Sequence, residues 1–211
     1  MVRVKICGLT REQDVRAAID AGADAVGFVV GFQSSPRNLT MERATQLTRM
    51  VPPFVDSVLV TTLRAVEENL PSVKGARPDA IQLYTESVVP EGLRDSLGAD
   101  LIRPYLLESH DARDAVRAAA GFDALLTDTF LPGRQGGTGM VSDWEVCKQI
   151  RSTIAPLPLV LSGGLNPENV VKAVKLVRPY AVDASSGVER TPGIKDHGKV
   201  AEFIRRAKGG I

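Results

Sequence analysis

Apolar and polar side chains alternate near the amino terminus. Across residues 2–7, valine and isoleucine alternate with Arg3, Lys5 and Cys7, and Gly8 follows. Successive side chains of a β-strand point to opposite faces, so one face here is apolar and the other ends in a thiol. The pattern predicts a strand that packs under helices on its apolar face and carries Cys7 at its carboxyl end.

Similar apolar runs recur along the whole chain, and each is followed by a segment of helical periodicity. The strands are predicted to begin near Val2, Ala25, Asp56, Ala80, Asp100, Ala124, Leu157 and Ala181. The helices are predicted over residues 11–22, 40–51, 65–75, 86–97, 109–120, 143–154, 167–177 and 197–207.

Two of the predicted helix starts carry a capping pattern. Thr10-Arg-Glu-Gln13 and Ser142-Asp-Trp-Glu145 both fit the capping box, in which a hydroxyl and a later side chain satisfy free amide groups. We therefore expect the Thr10 and Ser142 hydroxyls to cap the helices that follow them.

Eight strand–helix units in 211 residues favour a closed (β/α)8 barrel. An open doubly wound sheet needs only about five or six parallel strands, and it favours a Gly-x-Gly-x-x-Gly turn after the first strand, where this chain has none. No linker-like tract interrupts the pattern, so we expect one α/β barrel domain over residues 1–211. Pro104 removes a ladder donor in or just after the fifth strand, which we expect to be short or bulged there.

Composition is that of an ordinary soluble protein, with 44% apolar and 24% charged residues. A net charge of +1 gives no electrostatic reason to expect a nucleic acid or membrane partner. There is no run long enough to span a membrane and no signal-peptide pattern. Two cysteines, Cys7 and Cys147, do not make a disulfide scaffold, which favours the cytoplasm. The oligomeric state is left open by the sequence, which is consistent with a monomer or a homodimer.

Small residues follow the seventh and eighth predicted strands. Gly163-Gly164 lies in the first of these loops and Ser185-Ser186-Gly187 in the second. Such residues let backbone amides approach a ligand, and a following helix start favours an anion. Each motif by itself is equally consistent with a tight turn. Together, in the two loops that commonly bind phosphate in barrels, they predict a phosphate site.

Titratable residues at the strand ends are ambiguous by spacing alone. Asp128 and Asp183 are either catalytic or loop-fixing carboxylates, and Cys7 is either a reactive thiol or a small buried hydrophobe. Lys5, one inward-facing step below Cys7, is expected to form an ion pair or to pack, and Cys147 is expected to lie in the core. The two histidines in the chain favour neither a His-rich metal centre nor a Ser-His-Asp triad.

Taken as a set, the motifs at these positions resemble those of phosphoribosylanthranilate isomerase, and the resemblance covers nearly the whole chain. It rests on Lys5-Ile-Cys-Gly-Leu-Thr10, Gly27-Phe28, Ser35-Pro36-Arg37, Gln82-Leu83, Asp128-Thr129, Gly136-Gly-Thr-Gly139, Ser162-Gly-Gly-Leu-Asn-Pro-Glu-Asn169 and Asp183-Ala-Ser-Ser-Gly-Val-Glu189. The resemblance implies a barrel enzyme of tryptophan biosynthesis. Such an enzyme converts N-(5-phosphoribosyl)anthranilate by an Amadori rearrangement, without a metal or an organic cofactor.

The resemblance also implies roles for single residues. Cys7 takes the family's general-base position and Asp128 its general-acid position. Arg37 is expected to hold the anthranilate carboxylate, and Asp183 to orient the ribose or the acid. The phosphate grip falls to Gly163, Gly164, Ser185, Ser186 and Gly187.

One residue departs from the family pattern, and the proposed role of Cys7 makes a physical demand on its surroundings. Where the family commonly has histidine after Gln-Leu, this chain has Tyr84, which we expect to be peripheral to the proton transfers. Cys7 has to become a thiolate at neutral pH although a free thiol has a pKa of about 8.5, so it needs positive surroundings. Arg37 and the phosphate-loop amides are the candidates for this charge, and Lys5 is a more distant one.

Two other functions remain open from the residues alone. One is another sugar-phosphate isomerase or epimerase that shares only the phosphate site; metal dependence, or activity that survives Cys7→Ala, favours it. The other is a non-catalytic barrel that binds a phosphorylated ligand; binding without turnover, and little effect of Asp128→Asn, favours it.

Overall fold

The apolar runs form a closed barrel of parallel strands in the computed structural model, which describes residues 1–87, 89–107, 112–128 and 142–209. The strands of the described part are β1 (Arg3–Ile6), β2 (Ala25–Val30), β3 (Asn38–Leu39), β4 (Asp56–Thr62), β5 (Ala80–Tyr84), β6 (Asp100–Leu106), β7 (Ala124–Asp128), β8 (Leu159–Leu161), β9 (Ala181–Ala184), β10 (Glu189–Thr191) and β11 (Ile194–Lys195).

Helices alternate with the barrel strands. Those of the described part are α1 (Glu12–Asp20), α2 (Met41–Thr48), α3 (Leu63–Glu68), α4 (Leu70–Ala76), α5 (Leu93–Leu97), α6 (Ala112–Ala119), α7 (Trp144–Ile154), α8 (Val170–Val177) and α9 (His197–Ala207), with a short 3-10 helix over Ser186–Val188. None of these helices has both the length and the low polarity needed to cross a bilayer.

Eight of the strands close the barrel. Their order is β1, β2, β4, β5, β6, β7, β8 and β9, and β9 pairs again with β1. Lys5 lies opposite Ala25 on one side of β1 and opposite Asp183 on the other. The short β3 adds to β2 outside the ring, and β10 and β11 form an antiparallel hairpin. The predicted (β/α)8 barrel is confirmed.

The alternation in β1 separates two buried environments. Val4 and Ile6 are fully buried in the main apolar core, where they join helix residues such as Val15 and Phe203. On the inward face of the strand, the charged residue Lys5 is buried as well. A closed barrel shields both faces of each strand, so a polar inward face has to find its partners inside the ring.

Aspartates fix the amino-terminal ends of several strands. Asp24, Asp79 and Asp123 each directly precede a strand, and each accepts a backbone N–H bond of 2.8 Å from the neighbouring strand. These carboxylates satisfy amides at the end of the barrel opposite to the strand ends where the predicted site lies.

The helices differ from prediction in two places. The helix predicted over 65–75 is divided at Asn69 into α3 and α4. The helix predicted over 86–97 begins only at Leu93 in the described residues. Gly92 precedes it with a φ of 77°, a left-handed conformation that a helix interior does not contain, and Pro90 disfavours helical geometry at the residue before it.

The strand with Pro104 is neither short nor bulged, so that expectation is wrong. β6 has seven residues, and its register with β7 runs without a shift from Ile102 to Leu106. Its pairing with β5 ends at Ile102, two residues before the proline. Pro104 has no N–H group to donate, and this is tolerated because the proline lies beyond the last residue pair between β5 and β6.

Candidate active site

Cys7 follows β1 at the carboxyl end of the barrel, in close contact with the neighbouring strand. A Cβ placed on Gly27 of β2 would lie 2.9 Å from Cys7 Sγ, so the glycine leaves the space that the thiol occupies. Only 7% of Cys7 is exposed, and it packs with Val29 and Val60. The thiol is therefore held in a tight, largely apolar environment at the rim.

Lys5 lies one inward-facing position below Cys7 and is buried. Its Nζ donates to Asp183 Oδ1 at 3.0 Å and to Gln82 Oε1 at 3.0 Å. Asp183 also accepts a hydrogen bond from the hydroxyl of Ser162 at 3.4 Å. The ion-pair role predicted for Lys5 is confirmed, and its partner is the aspartate at the end of β9.

Opposing effects act on the Cys7 thiol. Burial raises its pKa above the ordinary value and Asp183 adds to the rise, while the ammonium groups of Lys5 and Lys195 lower it. Burial by itself would lower the pKa of Lys5, but Asp183 and Cys7 raise it above the ordinary value, so Lys5 is charged at neutral pH. Lys5 is the cation that lowers the pKa of Cys7 most strongly. From the sequence, Arg37 was a nearer candidate for this effect than Lys5.

Arg37 belongs to a buried network of three charges. Its Nε and one terminal nitrogen donate to the two carboxylate oxygens of Glu189 at 2.8 and 2.6 Å. Lys195 Nζ donates to Glu189 Oε1 at 2.9 Å and to the carbonyl oxygen of Ser185 at 3.0 Å. Burial would raise the pKa of Glu189, but the hydrogen bonds from Arg37 and Lys195 hold it below the ordinary value. The carboxylate is therefore ionised at neutral pH.

Glu189 and Lys195 were not assigned a role from the sequence. They lie on the hairpin of β10 and β11, which the strand prediction missed. The available signal was the Pro192-Gly193 pair, a turn signature between two short segments, and Gly193 has a φ of 81°. The segments of two and three residues are too short to show a periodic pattern.

Gly8 brings three parts of the rim together. Its φ is 72°, and an added Cβ would lie 2.5 Å from Arg37 Cδ and 3.0 Å from Ser185 Oγ. A side chain at this position would therefore displace Arg37 or Ser185. The turn directly after Cys7 is in contact with both the predicted anthranilate-binding residue and the eighth barrel loop.

The two loops predicted to bind phosphate are in contact. Gly163 and Gly164 have φ values of 93° and 65°, and they follow β8. A Cβ on Gly187 would lie 2.0 Å from the carbonyl oxygen of Leu165, so the loop after β9 packs directly against the loop after β8. Consecutive glycines in left-handed geometry leave backbone N–H groups accessible to an anion.

Asp128 ends β7, and its Oδ2 accepts a hydrogen bond of 3.0 Å from the hydroxyl of Tyr84. Tyr84 packs against the apolar cluster that contains Cys7, and its ring meets Phe32 edge-on with centroids 5.2 Å apart. Tyr84 therefore contacts Asp128 directly and packs against the cluster to which Cys7 belongs. The expectation that this position is peripheral is wrong.

Thr129 and Gly136-Gly-Thr-Gly139 fall outside the described residues. The remaining predicted residues all lie at the carboxyl ends of barrel strands or in the loops that follow them. They are Cys7, Arg37, Asp128, Asp183 and the two small-residue loops.

The chain is similar to the members of one enzyme family. The family model of N-(5'-phosphoribosyl)anthranilate (PRA) isomerase matches residues 4–206. The N-(5'-phosphoribosyl)anthranilate isomerase of Methanothrix thermoacetophila is 41% identical over 208 residues, which cover 99% of each chain.

Solved structures of similar sequence share the fold. A phosphoribosyl anthranilate isomerase in complex with reduced 1-(o-carboxyphenylamino)-1-deoxyribulose 5-phosphate is 38% identical, with a TM-score of 0.81 over 99% of this chain and 100% of the other. Monomers of the dimeric phosphoribosylanthranilate isomerase from Thermotoga maritima give a TM-score of 0.83 at 36% identity, over 99% and 100% of the two chains. Because the family model and a relative of 41% identity both match nearly the full length of the chain, the chain belongs to the phosphoribosylanthranilate isomerase family.

Proposed function

We propose that this protein catalyses the Amadori rearrangement of N-(5'-phosphoribosyl)anthranilate to 1-(2-carboxyphenylamino)-1-deoxyribulose 5-phosphate in tryptophan biosynthesis. The observation that carries the proposal is that Asp128 at the barrel rim is bonded to Tyr84, which packs against the cluster that contains Cys7. A relative of 38% identity binds a reduced form of this carboxyphenylamino sugar phosphate, which supports the substrate class.

Asp128 serves as the general acid in this proposal. Its carboxyl group protonates the ring oxygen of the ribose as the bond between that oxygen and C1 breaks, and a protonated Schiff base forms between C1 and the anthranilate nitrogen. A side chain that transfers a proton in this way contributes about 10²- to 10⁴-fold to the rate.

Cys7 serves as the general base. Its thiolate removes the proton from C2 of the open-chain Schiff base, and the electron pair of the broken C–H bond neutralises the iminium to give an enolamine. The enol hydroxyl then loses its proton while C1 gains one, which gives the aminoketose. Lys5 supports this step because its ammonium group favours the charged form of the thiol.

The remaining rim residues bind the substrate in this proposal. A guanidinium has five N–H donors, and Glu189 accepts from two nitrogens of Arg37, so further donors remain for the anthranilate carboxylate. Asp183 orients the ribose or the acid, and its contact with Lys5 fixes its position. Gly163, Gly164, Ser185, Ser186 and Gly187 hold the phosphate through their closely packed loops.

The proposed function is tested by the fluorescence of the substrate's anthranilate group. Purified protein is added to N-(5'-phosphoribosyl)anthranilate in the presence of EDTA, and the loss of fluorescence is followed. We expect turnover without added metal. Absence of turnover, or a requirement for metal, would overturn the proposal and would favour a binding protein or a metal-dependent isomerase instead.

Replacement of Lys5 by methionine is expected to move the alkylation of Cys7 to higher pH. The change removes the strongest effect that lowers the pKa of the thiol and leaves the buried Asp183 carboxylate without its ion-pair partner. Both consequences disfavour the thiolate, which is the species that iodoacetamide attacks. The midpoint of the rate–pH profile is expected to rise by about one unit.

This labelling experiment uses the Cys147→Ala background, because Cys147 is the other cysteine of the chain. The same background with Lys5 intact is the matched control. An unchanged midpoint would show that Lys5 does not set the charge state of Cys7.

Other features of the molecule remain predictions. We propose a single barrel domain over residues 1–211, a cytoplasmic location, a small phosphorylated molecule as the ligand and either a monomer or a homodimer. A relative from Thermotoga maritima is dimeric, and light scattering on the purified protein distinguishes the two oligomeric states.

A further inference from the structure

A chain of hydrogen bonds connects the two sides of the site. Lys5 Nζ donates to Gln82 Oε1 at 3.0 Å, Gln82 Nε2 donates to the Tyr84 hydroxyl at 3.3 Å, and that hydroxyl donates to Asp128 Oδ2 at 3.0 Å. Lys5 is also the ion-pair partner of Asp183. The chain therefore starts at the group that favours the Cys7 thiolate and ends at the predicted acid.

Chemistry fixes the direction of every bond in this chain. An ammonium group donates and never accepts, so the carbonyl oxygen of Gln82 has to face Lys5. The amide nitrogen of Gln82 then faces Tyr84 and donates to its oxygen. The hydroxyl hydrogen of Tyr84 is left for Asp128, whose carboxylate oxygen accepts it. The orientation of the amide is thus determined by its partners.

Packing keeps the members of the chain in place. Gln82 and Tyr84 are two residues apart on β5, so their side chains lie on the same face of the strand. Gln82 is 3% exposed, and the Tyr84 ring is held edge-on by Phe32. Burial, and next the charge of Asp128, raise the pKa of the Tyr84 hydroxyl well above its usual range, so it remains protonated and can donate.

We propose that Tyr84 is a positioning residue for Asp128, oriented by Gln82 and Lys5, and that it stabilises the carboxylate left when Asp128 donates its proton. The inference rests on the proposed function. It assigns a role in the reaction to Tyr84, at the position where the family resemblance leads us to expect histidine.

The expected effect is on turnover rather than on substrate binding. A hydrogen bond from a neutral hydroxyl is stronger to a carboxylate than to a carboxylic acid. The contact therefore strengthens as negative charge develops on Asp128 during proton transfer. An interaction that strengthens in the transition state raises kcat, while one that is equal in both states changes only KM.

The test compares Tyr84→Phe and Tyr84→His with the wild-type enzyme. Phenylalanine keeps the ring against Phe32 and removes only the hydroxyl, whereas histidine restores an N–H donor. Tyr180→Phe is the matched control, because Tyr180 accepts a hydrogen bond from Arg3 at the opposite, amino-terminal end of the barrel. kcat and KM are measured separately in the fluorescence assay, and Tm is measured for each variant.

Tyr84→Phe is expected to lower kcat about tenfold, which corresponds to about 1.4 kcal/mol, with KM changed less than about twofold. Tyr84→His is expected to keep kcat within about threefold of wild type, and Tyr180→Phe to keep both constants. Wild-type kcat in Tyr84→Phe, a loss confined to KM, or an equal loss in both Tyr84 variants would overturn the inference.

Two further outcomes are informative. If Tyr84→Phe does not fold, Tyr84→His carries the test, and a tenfold loss of kcat in a folded Tyr84→His would overturn the inference. If wild type itself shows no turnover, the proposed function fails and this inference fails with it. A wild-type enzyme that is active while both variants keep its kcat overturns the role of Tyr84 alone.

Discussion

Cys7→Ser and Asp128→Asn are each expected to lower turnover at least about a hundredfold while the barrel remains folded. A serine hydroxyl is close in volume to the thiol but does not ionise near neutral pH, so it cannot remove the C2 proton. An asparagine amide keeps the shape of Asp128 and can still accept from Tyr84, but it has no acidic proton to donate. Both variants are measured by the anthranilate fluorescence assay.

Cys147→Ala is the matched control for the loss of a buried thiol. Cys147 is fully buried in α7, and burial raises its pKa to about 11, so it is an unreactive core residue. This variant is expected to keep wild-type turnover, although it loses some stability. Near-wild-type rates in both Cys7→Ser and Asp128→Asn would overturn the acid–base mechanism, while the substrate assignment would still stand on wild-type turnover.

Glu189→Gln is expected to lower the free energy of unfolding by about 3 kcal/mol. Glu189 is the common partner of Arg37 and Lys195, and all three are nine-tenths or more buried. The neutral amide keeps the shape of the side chain but leaves two buried cations without a counter-charge. Breaking a buried ion pair by removing one partner is strongly destabilising for this reason. Urea unfolding followed by circular dichroism measures the effect.

The effect of Glu189→Gln is expected to shrink in acid. Because the pKa of Glu189 is lowered in the folded protein, its contribution is fully present above the ordinary carboxyl pKa and is lost as the pH falls through the lower, folded value. Wild type and variant are therefore expected to differ most at neutral pH and to converge as Glu189 becomes protonated.

Glu202→Gln is the matched control for this measurement. Glu202 is also bonded to two cations, Arg205 and Arg206, but on the surface of α9, with 34% of its side chain exposed. Surface ion pairs contribute less than about 1 kcal/mol, so this variant is expected to stay close to wild type. If Glu189→Gln lowers the free energy of unfolding no more than Glu202→Gln does, burial does not increase the contribution of the Glu189 ion pairs to stability.

Local patterns predicted most of the fold because they report local physics. Several barrel strands begin at the residue predicted for them, among them the strands that start at Ala25, Asp56, Ala80, Asp100 and Ala124. A run of apolar side chains with period two or 3.6 has few ways to bury itself, and its ends are marked by breakers. The effect of Pro104 on its strand could not be predicted, because a proline's cost depends on whether a neighbouring strand needs its amide, which the sequence does not show.

Hydroxyls at the helix starts illustrate the limit of local patterns. Thr10 was expected to cap α1, but its hydroxyl donates to the carbonyl oxygen of Gly193 at 2.7 Å. Ser142 was expected to cap α7, but it donates to the carbonyl oxygen of Ser162 at 2.8 Å, and Asp143 caps the helix instead. Each hydroxyl found a partner on a distant loop that competes with the local amide.

Patterns along the chain predict the barrel, the strand ends that meet at its rim and, through family motifs, the residues gathered there. The pairing of the charged groups, in contrast, depends on how the folded chain brings distant residues together. Arg37 is 152 positions from Glu189, and Lys5 is 178 positions from Asp183. The contact of Tyr84 with Asp128 also joins separate strands. Hydrogen bonds and charge interactions act over a few ångströms in space, so neither these pairings nor the balance of charges around the Cys7 thiol can be derived from spacing along the chain.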